Sequence, residues 1–246
     1  MLNPDTEFAI DRLGSSLTSS LQWLSKQDRE GGVLNLAETW VNLIASGLQG
    51  ARLNSPPHLD PSSPYLPFIE THRVRTDHFN VLGGGMRGGP TIDILFQIWF
   101  DTEEIVGGFG VPLVFRRIPS AGPMPAPIFE EIQDVARRLT VATPSARIVL
   151  FADQQDFDWG PTRAMRHHPI LVVNAHSFAA LRRPPHPVLG HAYFHFTTDL
   201  VSGWIGDPVL SGREDTPVLD EVMMTFSVHH VLRLRIEREP MSPKVS

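Results

Sequence analysis

Between Val81 and Pro119 the chain reads VLGGGMRGGPTIDILFQIWFDTEEIVGGFGVPLVFRRIP, and this stretch restricts the fold more than any other. A glycine run enters two apolar segments rich in β-branched and aromatic residues, TIDILFQIWF (residues 91–100) and GVPLVFRRI (residues 110–118). Joined by the acidic turn DTEEIVGGF, they read as an antiparallel hairpin in a sheet core. One acid, Asp93, interrupts the first segment, and a carboxylate among apolar neighbours is costly unless something pairs with it. The glycine run lacks the lysine and hydroxyl residue of a phosphate-binding loop, and a strand rather than a helix follows it. It reads instead as a flexible hairpin turn or a place where backbone approaches a ligand closely.

Helices are expected on both sides of this hairpin. Phe8, Ile10, Leu13, Leu17, Leu21 and Leu24 recur near helical spacing, and Asn35 can cap a second helix, LAETWVNLIASGLQG. Glu38 falls in the first turn of that second helix, where the helix dipole favours an acid. After the hairpin, PAPIFEEIQDVARRL carries Ile128, Ile132, Val135 and Leu139 on one stripe. RIVLFA and PILVVNA read as buried strands, and HSFAALRRP as a helical turn with Ser177 capping its start. GHAYFHFTT (190–198) and FSVHHVLRLRIER (226–238) alternate as strands. The fold class expected is therefore α/β, a mixed central β-sheet flanked by helices with additional C-terminal strands. The organisation follows: an N-terminal helix over 1–30, an α/β core over 31–185 with a proline-rich loop at 55–67, C-terminal strands over 186–240 that extend the sheet or form a partner surface, and a tail over 241–246. The strand HHVLRLRIER would suit a symmetric dimer.

The 246 residues contain no cysteine, which excludes disulfides, thiolate metal sites and cysteine nucleophiles. Any metal must be held by Asp, Glu or His. No window approaches a membrane span, and the acidic start MLNPDTEFAIDRLG does not read as a signal peptide, so a cytoplasmic protein without membrane association is expected. A net charge of −6 argues against a protein whose main task is clamping a phosphate backbone, without excluding a nuclease, whose acidic site lowers net charge.

From Glu38 to Leu181 the order of elements resembles the restriction-endonuclease-like, or PD-(D/E)XK, superfamily, most closely its Mrr-like branch. The helix LAETWVNLIASGLQG supplies Glu38, GGPTIDILF supplies Asp93, PLVFRRI stands at the third motif, and IFEEIQDVARRL, RIVLFAD and PILVVNAHSFAAL match the later helix and strands. The resemblance implies a metal-dependent phosphodiester hydrolase in defence or DNA processing, with Asp93 and Glu38 as Mg²⁺ ligands and catalytic acids, and DNA or RNA as substrate. The third motif departs from the pattern. Val114 or Phe115 stands where Glu or Gln belongs, and Arg116 or Arg117 where lysine belongs. Arginine holds a phosphate but stays protonated, so Arg117 in the lysine's place keeps its charge and not its chemistry. A carboxylate migrated from Glu103, Glu104, Glu130 or Asp153, or the amide oxygen of Gln97, would have to complete the site. Two readings follow: a divergent nuclease, or a degenerate site on a nucleic-acid-binding or protein-interaction scaffold, with a protein partner or a homodimer. For Asp93 the structural alternative is an acid that caps a turn or pairs with Arg116 or Arg117.

Arg116, Arg117, Arg163, Arg166, Arg182 and Arg183 would make a phosphate-facing patch if the fold brings them together. The histidines offer less. His191 and His195, four apart in a strand, would be roughly 13 Å apart, too far to share one ion. The adjacent pairs His167–His168 and His229–His230 would point to opposite faces of any extended segment.

Overall fold

Residues Ala9, Ile10, Leu13, Leu17, Leu21 and Leu24 are all buried, and the helix that carries them, α1 (Pro4–Arg29), forms as their spacing predicts. The structure, a computed structural model, describes residues 4–29, 33–54, 71–80, 91–101, 106–118, 124–152, 170–182, 191–201, 205–211 and 227–239. The proline-rich loop, the glycine run, Glu103, Glu104, Asp153, Arg163, Arg166, His167, His168 and Arg183 lie outside these residues. In α2 (Leu36–Leu48) the Asn35 side chain accepts the Glu38 N–H, the cap its sequence suggested.

Among the described residues the sheet has eight strands, β1 (Arg52–Asn54), β2 (Thr71–Asn80), β3 (Thr91–Asp101), β4 (Val106–Ile118), β5 (Arg147–Ala152), β6 (Ile170–Asn174), β7 (His191–Ala192) and β8 (Ser227–Arg238), in the order β1-β2-β8-β3-β4-β5-β6-β7. It is mixed: β3 runs parallel to β8 and β4 parallel to β5, while the other neighbours are antiparallel. Strands β3 and β4 form the expected hairpin, and α3 (Ala126–Ala142) makes the crossover to β5. Alternation along the strands sorts their side chains between two layers. Ile94, Phe96 and Ile98 pack with Leu13 and Leu17 of α1 and Trp40 of α2, whereas Leu95 and Val114 pack with Phe129 and Ile132 of α3 and Phe178 of α4 (Ala175–Ala179).

Three sequence expectations need correction. The segment 190–198 is not a strand: only His191–Ala192 pairs with β6, and Tyr193–Val201 forms helix α5. Its FHF alternation imitates a strand, but Phe196, Leu200 and Val201 bury against the α1 side of the sheet at helical spacing. The second correction concerns β8, which lies inside the sheet with β2 on one side and β3 on the other. Both its edges are hydrogen-bonded, so it has no free edge to offer a second chain. Finally, Asn174 rather than Ser177 caps α4, accepting the N–H groups of His176 and Ser177. Among the described residues no helix is long and apolar enough to cross a membrane.

Candidate functional site

Asp93 lies near the start of β3 and is tied to the α3 side of the sheet through Arg116, which reaches Glu131 on α3. Its carboxylate is well served there. Oδ2 accepts the Phe115 N–H at 2.7 Å and Arg116 Nη1–H at 3.0 Å. The same Nη1 donates to the Phe115 carbonyl at 2.7 Å, and Arg116 Nε lies 3.6 Å from Glu131 on α3. Side-chain exposures of 14% for Asp93 and 24% for Arg116 put the pair in a partly dry setting, where a charge-assisted bond is stronger than at an open surface. The remaining oxygen, Oδ1, is 3.7 Å from Nδ1 of the exposed His229 on β8.

Arg117, one residue further on, points to the opposite layer. There it grips Asp28 at the end of α1, with Nη2 at 2.7 Å from Oδ1, and donates to the Val33 carbonyl at 2.6 Å. The two adjacent arginines, interchangeable in the sequence, thus serve different faces. Neither Asp28 nor Glu131 was among the sequence candidates. Glu131 is one residue from the candidate Glu130, and only the rotation of α3 against the sheet decides which of them meets Arg116. Gln97 is fully buried and already bonded, donating to the Leu210 carbonyl at 2.8 Å and accepting from Arg233 Nε at 3.2 Å. Arg182 is exposed.

On the other layer, where α2 begins, a second polar cluster gathers. His230 of β8 is buried, its Nδ1 lying 2.8 Å from Asn80 Oδ1 and 3.4 Å from His78 Nε2, both on β2. Burial lowers the His230 pKa below its ordinary 6.5, and neighbouring His78 lowers it further; Glu38 opposes the shift, and weaker effects come from His229 and Asp93. Glu38 lies in the first turn of α2, while Asp93 is bonded to Arg116, whose Nε is 3.6 Å from Glu131 of α3. As expected for an extended segment, His229 and His230 serve opposite faces.

The lowered pKa sets a direction. The unfolded chain takes up the His230 proton at a higher pH than the folded chain, so stability falls as the pH drops from about 6.5 toward the folded value. Melting curves across that window should show a smaller loss for His230→Asn than for the wild type; an equal loss would assign the acid sensitivity to other groups.

The donor set at Asp93 does not suit Mg²⁺, which takes oxygen ligands in near-octahedral array. Two N–H groups hold Oδ2, and the nearest charge is a guanidinium. Among the described residues, no group of three or more His, Asp or Glu side chains could hold a metal ion. Comparison of the chain with protein-family models, curated proteins and solved structures gives no match.

Proposed function

We propose that this chain is a restriction-endonuclease-like protein that associates with nucleic acid without hydrolysing it, its metal-dependent site replaced by an ion pair. The observation that carries this reading is the Asp93–Arg116 contact at 3.0 Å, reinforced by the Phe115 N–H on the same oxygen. At one of the two positions, 116 and 117, where the family pattern would place a lysine beside metal-bound acids, an arginine neutralises the first acid directly. Arginine stays protonated at all ordinary pH, so it cannot vacate the carboxylate by losing its charge. The chain-order match of hairpin, helix and two strands supports the family framework; β8, parallel to β3 and wedged between β2 and β3, is a departure from the order of the sequence.

The test is retention on immobilised single- and double-stranded DNA and RNA over a salt gradient, with Mn²⁺-dependent hydrolysis followed in parallel. Retention that weakens steeply with salt, without hydrolysis, is the expected result. Hydrolysis that disappears in Asp93→Ala would overturn it.

A second reading, a protein-interaction subunit, is favoured by a groove of about 600 Å³ between α1, α2 and β1. Its wall includes Trp23, 46% exposed, with Ile44 and Leu48 on the apolar side and Arg12 and Arg52 on the polar one. Absence of nucleic-acid retention at low salt, together with a stoichiometric co-purifying protein released by Trp23→Ala, would select this reading over the first.

A further inference from the structure

His230 Nδ1 has one in-plane direction in which to give or receive a hydrogen bond. Two atoms converge on it, Asn80 Oδ1 at 2.8 Å and His78 Nε2 at 3.4 Å. Neither tautomer of His230 serves both well, and an N···N distance of 3.4 Å is a poor hydrogen bond. The same distance has another meaning. Two imidazole nitrogens bound at about 2.0–2.1 Å to one tetrahedral Zn²⁺ stand about 3.4 Å apart.

From this convergence we infer that His78, His230 and Asn80 form a binding site for a divalent transition-metal ion, Zn²⁺ being the natural occupant. The strands build the site by register. Asn80 lies directly across from His230 and His78 two residues back on the same face of β2, so the three donors meet without distortion of the pairing. The rings are inclined by 40° with centroids 5.6 Å apart. Two imidazoles with an amide oxygen select an imidazole-loving ion such as Zn²⁺ over Mg²⁺, and water fills the remaining position. The surrounding charge is consistent with this. Glu38 acts on His230 from the start of α2 and offsets the positive ion, with Asp93 adding a weaker negative contribution and His229 a weaker positive one. The bound ion ties β2 to the interior strand β8. This inference is independent of the proposed function, because none of its three donors belongs to the Asp93–Arg116 ion pair.

Isothermal titration of the full chain with ZnCl₂ at neutral pH tests it, supported by melting curves and by the visible spectrum of the Co²⁺-loaded protein. One site per chain is expected, with at least tenfold weaker affinity in His78→Ala and in His230→Asn, and unchanged affinity in His176→Ala, which removes an exposed histidine on α4. Zn²⁺ should raise the melting temperature of the wild type and not that of His78→Ala. His78 is only partly buried, so this variant keeps the test decisive if the His230 substitution prevents folding. No binding by the wild type, less than tenfold weakening in His78→Ala, or an equal loss in His176→Ala would overturn the inference.

Discussion

Trp40→Ala is expected to destabilise the protein by about 3–5 kcal/mol, the range for removing a large aromatic from a packed core. Trp40 is fully buried on α2. Its ring stacks on Phe96 of β3 at 5.9 Å between centroids and tilts against Phe115 of β4 at 5.5 Å, and Phe115 continues to Phe151 of β5 at 5.7 Å. The indole N–H also donates to Ser20 Oγ on α1 at 2.8 Å. One side chain therefore joins both N-terminal helices to two adjacent strands and, through Phe115, reaches a third. Trp40→Phe retains most of the ring contact but leaves Ser20 without its donor, so a smaller loss of about 1–2 kcal/mol is expected. Urea unfolding of the two variants separates the contributions. Equal losses would mean that the hydrogen bond rather than the aromatic chain dominates.

Gly110→Ala should also be severe, at about 3 kcal/mol or more, because the added methyl meets backbone. A Cβ at Gly110 would sit 2.2 Å from the Leu210 carbonyl oxygen and 2.7 Å from Leu210 Cβ. The strand cannot shift away easily, since Gly110 and Asp207 exchange two backbone hydrogen bonds of 2.9 and 3.0 Å. Moving the Leu210 segment instead would pull its carbonyl from buried Gln97, leaving an amide without its acceptor. Gly107, on the same strand, has nothing within 4 Å of its Cβ position, so Gly107→Ala is the matched control and should change stability little. Comparable losses in both variants would show that backbone flexibility, not the close approach, is what the glycines provide.

Much of the architecture was legible because it is written in local periodicity. The stripes of α1 and α3, the Asn35 cap and the paired apolar runs of β3 and β4 each declare their structure within a few residues. What was hidden depends on distant partners. HHVLRLRIER alternates equally well at an edge or in the interior, and only pairing with β2 and β3 places it inside. YFHFTTDLV carries both a two-residue and a helical period, and its packing on the α1 side of the sheet decides between them. At the site, the exceptional character of Asp93 was visible as an acid in an apolar run, but RR at 116–117 gave no means of telling the two arginines apart. Strand alternation does so, sending Arg116 to Asp93 and Arg117 to Asp28. Nothing local in the sequence joins His78, Asn80 and His230, because their meeting is set by the β2–β8 register.

The central claim is that Asp93 is a structural partner of Arg116 rather than a metal ligand, and a double-mutant cycle measures that directly. Stabilities of wild type, Asp93→Ala, Arg116→Ala and the double variant, each with and without Mn²⁺, give the coupling between the two side chains. The account predicts a favourable coupling of about 1–2 kcal/mol that Mn²⁺ leaves unchanged. Additivity within about 0.3 kcal/mol, with Mn²⁺ stabilising the wild type but not Asp93→Ala, would contradict it.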